Sequence, residues 1–289
     1  QDVAVAINAG IDMVMVPIRW REFVADLKEL VTAGRVPMQR IDDAVRRILR
    51  QKVRFKLWER PFADPALTAR IGSAEHRVVA RQAVQQSLVV LKNDKNVLPL
   101  ASAARVHLCG FRADDMGVQC GGWSTAWRGH RGAITPGTTI RQGFAEVLGA
   151  SRVTFSKDAS GAANADVVVA VVGEDPYAEG GGDRPTKLEL SAEDRALIDT
   201  AKRSGKPLVI VLLSGRPLIL GDLVDGAAAL VAAWLPGTEG AGIADVLGGG
   251  VKPTGKLPCS WPREFGQIPI NVGDTLYAPL YAYGFGLSW

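Results

Sequence analysis

Val171-Val172-Gly173-Glu174-Asp175-Pro176-Tyr177-Ala178-Glu179-Gly180-Gly181-Gly182-Asp183-Arg184 is the end of an apolar strand emptying into a loop that holds four carboxylates. The strand begins near Asp166 with Val167-Val168-Val169-Ala170 and runs without a polar interruption. That is the pattern of a strand covered on both faces, as in parallel sheets, rather than the alternation of a half-exposed one. Pro176 and the three consecutive glycines prevent the loop from continuing the strand or becoming a helix.

Around it, further strands alternate with helices. A helix through His76, Val79, Ala80, Ala83 and Val84 precedes a strand at Leu88–Leu91, and a second strand is expected at Val106–Gly110. A helix near Thr138–Leu148, a strand at Val153–Phe155 and the strand at Val167–Val172 follow. A Ser191-capped helix, strands Leu208–Leu213 and Ala229–Trp234, and a helix near Ile243–Leu247 complete the series. The spacing Ser191-Ala192-Glu193-Asp194 predicts a capping box with Asp in place of Glu. This alternation predicts an α/β fold, an α/β/α sandwich on a largely parallel sheet. Ligand sites of such sheets collect beyond the carboxyl ends of the strands, so the loops after Val106–Gly110 and Val167–Val172 can share one rim.

Upstream, a short helix from Val3 to Ala9 is turned by Gly10 into a strand Met13-Val14-Met15-Val16, closed by Pro17. Phe23, Leu27, Leu30 and Val31, then Ile41, Val45, Ile48 and Leu49, fall at helical spacing on two amphipathic helices. Residues 59–74, with Pro61, Pro65 and Gly72, read as a linker to a second domain over 75–289.

The 289 residues are 47% hydrophobic and 22% charged, enough for one large or two modest domains. Basic and acidic residues, 34 against 30, are interspersed, which argues against a nucleic-acid surface. No apolar run approaches the ~18 residues of a membrane span, and Gln1-Asp2 does not begin a signal peptide. Cys109, Cys120 and Cys259 lack paired spacing and are expected to be mostly buried thiols, with one pair at most. His76, His107 and His130 show no metal-ligand spacing, and His76 and His107 read as packed. There is no Gly-x-Ser-x-Gly elbow and no glycine-rich nucleotide loop, and no cofactor or metal is implied.

A carboxyl at the rim of an apolar sheet can be kept protonated by partial desolvation, as a general acid requires. Glu174 sits at that rim, with Asp175 and Glu179 as chemical rivals, and an acidic glycine-rich loop can equally be a solvated turn or a weak cation site. Asp183 reads as an anchor of the loop through backbone hydrogen bonds or a pair with Arg184. Trp123 lies after Gly121-Gly122 and before Ser124-Thr125, where an indole can offer its face to a sugar ring. Trp127 reads as support for that loop, and Trp20, Trp58, Trp234 and Trp261 as packing residues.

Gly173-Glu174-Asp175-Pro176-Tyr177-Ala178-Glu179 followed by Gly182-Asp183 resembles the acid/base loop of glycoside hydrolase family 3. Residues 88–100, Leu-Val-Val-Leu-Lys-Asn-Asp-Lys-Asn-Val-Leu-Pro-Leu, resemble the strand that opens that family's second domain, and Cys120-Gly121-Gly122-Trp123 resembles its loop with a sugar-stacking tryptophan. Ala232-Ala233-Trp234-Leu235-Pro236-Gly237-Thr238-Glu239-Gly240, Thr254-Gly255-Lys256-Leu257-Pro258 and Tyr283-Gly284-Phe285-Gly286-Leu287 resemble its C-terminal signatures. Ile7–Pro17 and Arg40–Leu49 resemble the last part of its barrel domain, so the likeness spans the chain in order.

The resemblance implies the end of a (β/α)8 barrel over residues 1–58, followed by the sandwich. It implies a retaining, cofactor-free exo-acting β-glucosidase or exo-β-glucanase acting on β-gluco-oligosaccharides, with Glu174 as acid/base and Trp123 at the substrate. Periplasmic or secreted location follows only by analogy. The family's nucleophile is an aspartate in a Ser-Asp-Trp or Gly-Asp-Trp segment, which these residues do not contain. Asp12, in Ala9-Gly10-Ile11-Asp12-Met13, matches a different family position. The expected partner is therefore an N-terminal barrel segment of the same enzyme. One strand and its helices cannot close a barrel, and would leave apolar surface exposed. The alternative is that this polypeptide alone is a non-catalytic carbohydrate-binding or interaction module.

Overall fold

The computed structural model describes residues 2–184 and 186–289, which divide after Ile71 into two units. The first holds α1 (Asp2–Asn8), α2 (Trp20–Thr32), α3 (Met38–Arg54) and α4 (Pro65–Thr68). Its core is small: Ala4, Ile7 and Val36 are buried, with Phe23, Leu27, Leu30, Val31 and Ile41 packed on them. The strand expected at Met13–Val16 is not formed. The segment alternates between exposed and half-buried residues, but no second strand of this unit takes up its backbone groups, so it has extended patterning without a ladder. Met13, Met15, Ile18 and Phe62 are each more than three-quarters exposed, and Trp20 and Trp58, expected to pack, are also on the surface.

The second unit begins with α5 (Ala74–Ser87), capped by the Ser73 side chain, and β1 (Val89–Asn93). Then come β2 (Val106–Cys109), α6 (Met116–Cys120), α7 (Ile140–Leu148), β3 (Val153–Ser156) and β4 (Val167–Gly173). After these follow α8 (Ala192–Arg203), β5 (Leu208–Leu213), α9 (Leu223–Gly226), β6 (Ala229–Trp234) and α10 (Ala241–Leu247). The six strands form one sheet in the order β1-β6-β5-β4-β2-β3. It is mixed and mostly parallel: β1 runs antiparallel to β6, and the other four pairings are parallel.

The period of two along each strand divides the core. Val169, Val171, Val209, Val211 and Val231 point to one face with Ile140, Phe144 and Ile243 of α7 and α10. Val168, Ala170, Val172, Ile210 and Leu212 point to the other, against Leu197 and Ile198 of α8. Each fully buried aliphatic side chain contributes about 1.5–3 kcal/mol, and every residue of β4 and β5 is buried.

This topology places a crevice. β2 lies between β3 and β4. From β2 the chain leads to α7 on one face, and from β4 to α8 on the opposite face. The loops leaving β2 and β4 therefore part company at a switch point, the position where α/β sheets bind ligands. The first carries Trp123 and the second begins with Glu174.

The three cysteines are unpaired, and burial pushes the Cys109 thiol up to about 12. His107 is buried between Thr154 Oγ1 at 2.8 Å and Ser156 Oγ at 3.0 Å, and desolvation lowers its pKa. His76, expected to pack, is exposed on α5. No helix among the described residues is long and apolar enough to cross a membrane.

Candidate active site

Gly173 is the hinge of the site. With φ +152°, a Cβ there would lie 1.8 Å from the Leu213 carbonyl oxygen, so only glycine permits β4 to run this close to the end of β5. The next amide, of Glu174, donates to that same carbonyl at 2.8 Å. Glu174 is thereby fixed at the last rung of the ladder, and its side chain is only 2% exposed.

Its carboxylate is asymmetrically held. Oε1 accepts from Arg216 through Nη2 at 2.8 Å and Nε at 3.2 Å, and Arg184 Nη1 stands 3.6 Å away. Oε2 is buried without a hydrogen-bond partner. Arg216 lies over the Tyr177 ring, 4.6 Å from its centroid, and its backbone is fixed by Ser214 Oγ donating to its carbonyl at 2.7 Å. Burial, and then the neighbouring Glu174 carboxylate, raise the pKa of the Tyr177 phenol.

A second network holds the same peptide from the other side. Asp194 lies in the first turn of α8 beneath the Ser191 cap, whose hydroxyl accepts from the Asp194 amide. Its carboxylate does not reach back to close a capping box, the Asp side chain being one carbon shorter than Glu. It accepts instead from the Ser191 hydroxyl and the buried Arg112. Arg112 also reaches Asp175, which Arg131 binds bidentately at 3.0 and 2.6 Å. So the residues on both sides of Glu174 are tied down, and Asp175 is committed to two arginines.

Trp123 is presented by a loop pressed against the Glu174 loop. A Cβ at Gly122 would fall 2.1 Å from the Tyr177 carbonyl oxygen, a measure of how closely the two backbones approach. Gln119, fully buried, anchors the loop by donating to Gly237 O and accepting from the Ile140 amide. The Trp123 amide donates to Trp127 O at 2.9 Å, and the two indoles meet edge to face at 6.3 Å. Trp123 is 68% exposed with φ +59°, a left-handed conformation that costs a bulky residue about 1–3 kcal/mol.

Glu174 and Trp123 line one cavity of about 230 Å³, together with Asp175, Tyr177, Gly215 and Leu235. Glu179 and Asp183 do not line it, and both are exposed. Glu239 of the Gly-Thr-Glu-Gly signature is a buried support, gripped by Arg77 at 2.7 Å and Thr238 at 3.1 Å. Sequence reasoning missed Arg216 and Tyr177. The available signal was Ser214-Gly215-Arg216 directly after a buried strand, but which strand neighbours β4 is a property of the topology.

The sequence pattern of the glycosyl hydrolase family 3 C-terminal domain matches residues 88–289, and that of the family's N-terminal domain matches residues 1–51. The chain is 35% identical over 315 residues to the lysosomal beta glucosidase of Dictyostelium discoideum, covering 98% of this chain and 38% of that protein. It is 32% identical over 351 residues to the periplasmic beta-glucosidase of Salmonella typhimurium, covering 99% of this chain and 45% of that protein. The crystal structure of an exo-1,3/1,4-beta-glucanase from a Pseudoalteromonas species superposes with a TM-score of 0.87 at 40% identity, over 99% of this chain and 38% of that one. The chain thus spans less than half the length of each of these proteins.

Proposed function

Because the chain belongs to glycosyl hydrolase family 3, we propose that it supplies the acid/base half of a retaining, exo-acting β-glucosidase or exo-β-glucanase that releases glucose from β-linked gluco-oligosaccharides. The observation that carries this reading is Glu174: a buried carboxyl at the end of β4, with one oxygen free of donors, on the same cavity as an exposed tryptophan. Glu174 donates its proton to the glycosidic oxygen as the sugar–oxygen bond breaks, and the ionised carboxylate then takes a proton from the attacking water. Trp123 holds the sugar against its indole face.

Retention needs a second carboxyl about 5–5.5 Å away as nucleophile. Asp175 is occupied by Arg112 and Arg131, so the nucleophile belongs to a barrel segment outside these residues. In this reading residues 1–58 are the C-terminal end of that barrel, 59–74 the linker and 75–289 the acid/base domain. Two observations support the division. The cavity, about 230 Å³, is smaller than the ~300–1,000 Å³ of complete ligand sites, as one wall of a site would be. The exposed apolar residues of the barrel end, Met13, Met15 and Ile18 among them, need cover of the kind a full barrel provides. Likeness to the periplasmic enzyme of Salmonella supports an exported protein.

The test is Glu174→Gln in the enzyme assembled with its barrel segment. kcat/KM for cellobiose or laminaribiose falls by about 10²–10⁴-fold, whereas kcat/KM for a dinitrophenyl β-glucoside, whose leaving group needs little protonation, loses far less. Equal losses for both substrates would remove Glu174 from the acid/base role. Saturable sugar binding by this chain with no turnover in any assembly would favour the binding-module reading, for which the exposed Trp123 speaks.

A further inference from the structure

We infer that Arg216 is the positioning residue that decides which oxygen of Glu174 carries the catalytic proton, an inference that rests on the acid/base reading above. A carboxylic acid has one oxygen bearing hydrogen and one that only accepts. Oε1 faces two N–H groups of Arg216, at 2.8 and 3.2 Å, and the Arg184 guanidinium at 3.6 Å. An oxygen against such donors is held as the acceptor, and a proton placed on it would find no acceptor on the guanidinium, so the other oxygen is the favoured one to be protonated. Oε2, buried and without a partner, is the remaining position. The proton of the acid form therefore sits on Oε2, and Oε1 stays locked to the arginine throughout.

This arrangement gives Arg216 a second duty. As the proton leaves Oε2 for the glycosidic oxygen, that oxygen takes the electron pair of the bond it loses to the anomeric carbon, and the aspartate carboxylate of the barrel segment bonds to the carbon. Glu174 is left with a negative charge inside a site that water hardly reaches, its side chain 2% exposed. The guanidinium is already in contact with the oxygen that shares this charge, so no group has to reorganise at the moment of transfer. When water later attacks the anomeric carbon, the bond from that carbon to the aspartate breaks with its electron pair returning to the carboxylate, and the water's proton returns to Oε2.

Arg216 is itself held, by its stacking on Tyr177 and by the Ser214 hydroxyl on its carbonyl. Arg184 cannot stand in for it: at 3.6 Å its nearest nitrogen is beyond a hydrogen bond to Oε1. The feature is separate from the Asp194–Arg112–Asp175 network, which joins three side chains and does not touch the Glu174 carboxyl.

The experiment compares Arg216→Met, Arg216→Lys and Arg216→Gln in the enzyme assembled with its barrel segment, on cellobiose and on 2,4-dinitrophenyl β-glucoside. Arg216→Met lowers kcat/KM for cellobiose by about 10²-fold, the scale of general-acid catalysis, with less than roughly fivefold effect on kcat/KM for the dinitrophenyl glycoside. Arg216→Lys, retaining charge and one donor, recovers part of the cellobiose rate, and added ethylguanidinium recovers part of the rate of Arg216→Met. A role in folding alone would depress both substrates together and answer to neither rescue, and that result overturns the inference. Should Arg216→Met fail to fold, Arg216→Gln, which keeps a donor without charge, provides the same comparison of substrates. If the unaltered enzyme hydrolyses neither substrate, the glycosidase reading fails and this inference with it; if it hydrolyses both and the variants lose both equally, only the inference fails.

Discussion

Glu174 and Asp175, consecutive in the chain, turn their carboxyls to different arginines: Glu174 meets Arg216 through one oxygen and keeps the other free, while Asp175 gives both oxygens to Arg131. Two carboxylates that look interchangeable in sequence thus differ in what they have left to offer a substrate. Asp175→Asn removes a half-exposed ion pair, which contributes about 0–1 kcal/mol to stability, and leaves the free oxygen of Glu174 in place. We expect it to reduce cellobiose turnover by less than about tenfold, against the 10²-fold or greater loss of Glu174→Gln. Parallel rate measurements on the two variants decide this, and a deeper loss in Asp175→Asn would mean that the acid/base assignment names the wrong neighbour.

The close approach of the Trp123 and Glu174 loops depends on Gly122. An alanine methyl would meet the Tyr177 carbonyl oxygen at 2.1 Å, a backbone atom that cannot swing aside. Gly122→Ala must therefore separate the loops, at about 1–3 kcal/mol of stability, and should raise KM as the tryptophan moves off the cavity. Gly181→Ala is the control, since nothing lies within 4 Å of where its methyl would stand and its φ is ordinary; it should stay within about 0.5 kcal/mol. Denaturation midpoints and KM values for the pair test this, and indistinguishable variants would refute it.

Asp245 gives a pH signature to the frame behind the site. Burial alone would raise its pKa, but hydrogen bonds from Arg81 and Gln85 and the Arg81 charge outweigh this and hold it below its usual 3.8. Arg81 binds it bidentately at 2.6 and 2.7 Å, tying α5 to α10. A carboxyl whose pKa is depressed by folding stabilises the native state above its unfolded pKa of about 3.9 and loses that contribution as pH falls through the folded value. Asp245→Asn should therefore cost about 1.5–3 kcal/mol at pH 7, shrinking at pH 3 and below. Urea unfolding of this chain and its variant at both pH values measures the difference, and a gap that is the same at pH 7 and pH 3 would contradict the linkage.

Much of this architecture was legible because it depends on local pattern. The unbroken apolar runs at Val167–Val172 and Leu208–Leu213 could only be central strands, and Gly173-Glu174 had to lie at a strand end. What stayed hidden depends on partners distant in the chain. Arg216 is 42 residues from Glu174 and meets it only because β5 is the strand beside β4. Met13–Val16 has the composition of a strand, but a strand exists only where another supplies its ladder. Trp20 and Trp58 read as core by residue type, yet burial is set by what packs on them, and within their own unit little does. Asp194 was correctly placed at a cap, while its carboxylate was claimed by Arg112, 82 residues away.

Trp123 sets backbone strain against exposure. It is a large side chain in the left-handed region, 68% exposed, with its backbone amide bonded to Trp127 O. An exposed indole contributes little to the core, and its backbone conformation costs about 1–3 kcal/mol, so the fold would be no worse without it. Trp123→Gly relieves the strain while deleting the ring; offset by the greater chain entropy of glycine, this should leave the melting temperature unchanged or slightly raised. KM for cellobiose should rise about tenfold or more, a loss of roughly 1.4 kcal/mol, while Trp123→Phe, which keeps an aromatic face, should retain part of the affinity. Thermal melts and KM measurements on the same preparations separate the two effects. A lowered melting temperature with an unchanged KM would show that Trp123 is there to hold its loop and not the sugar.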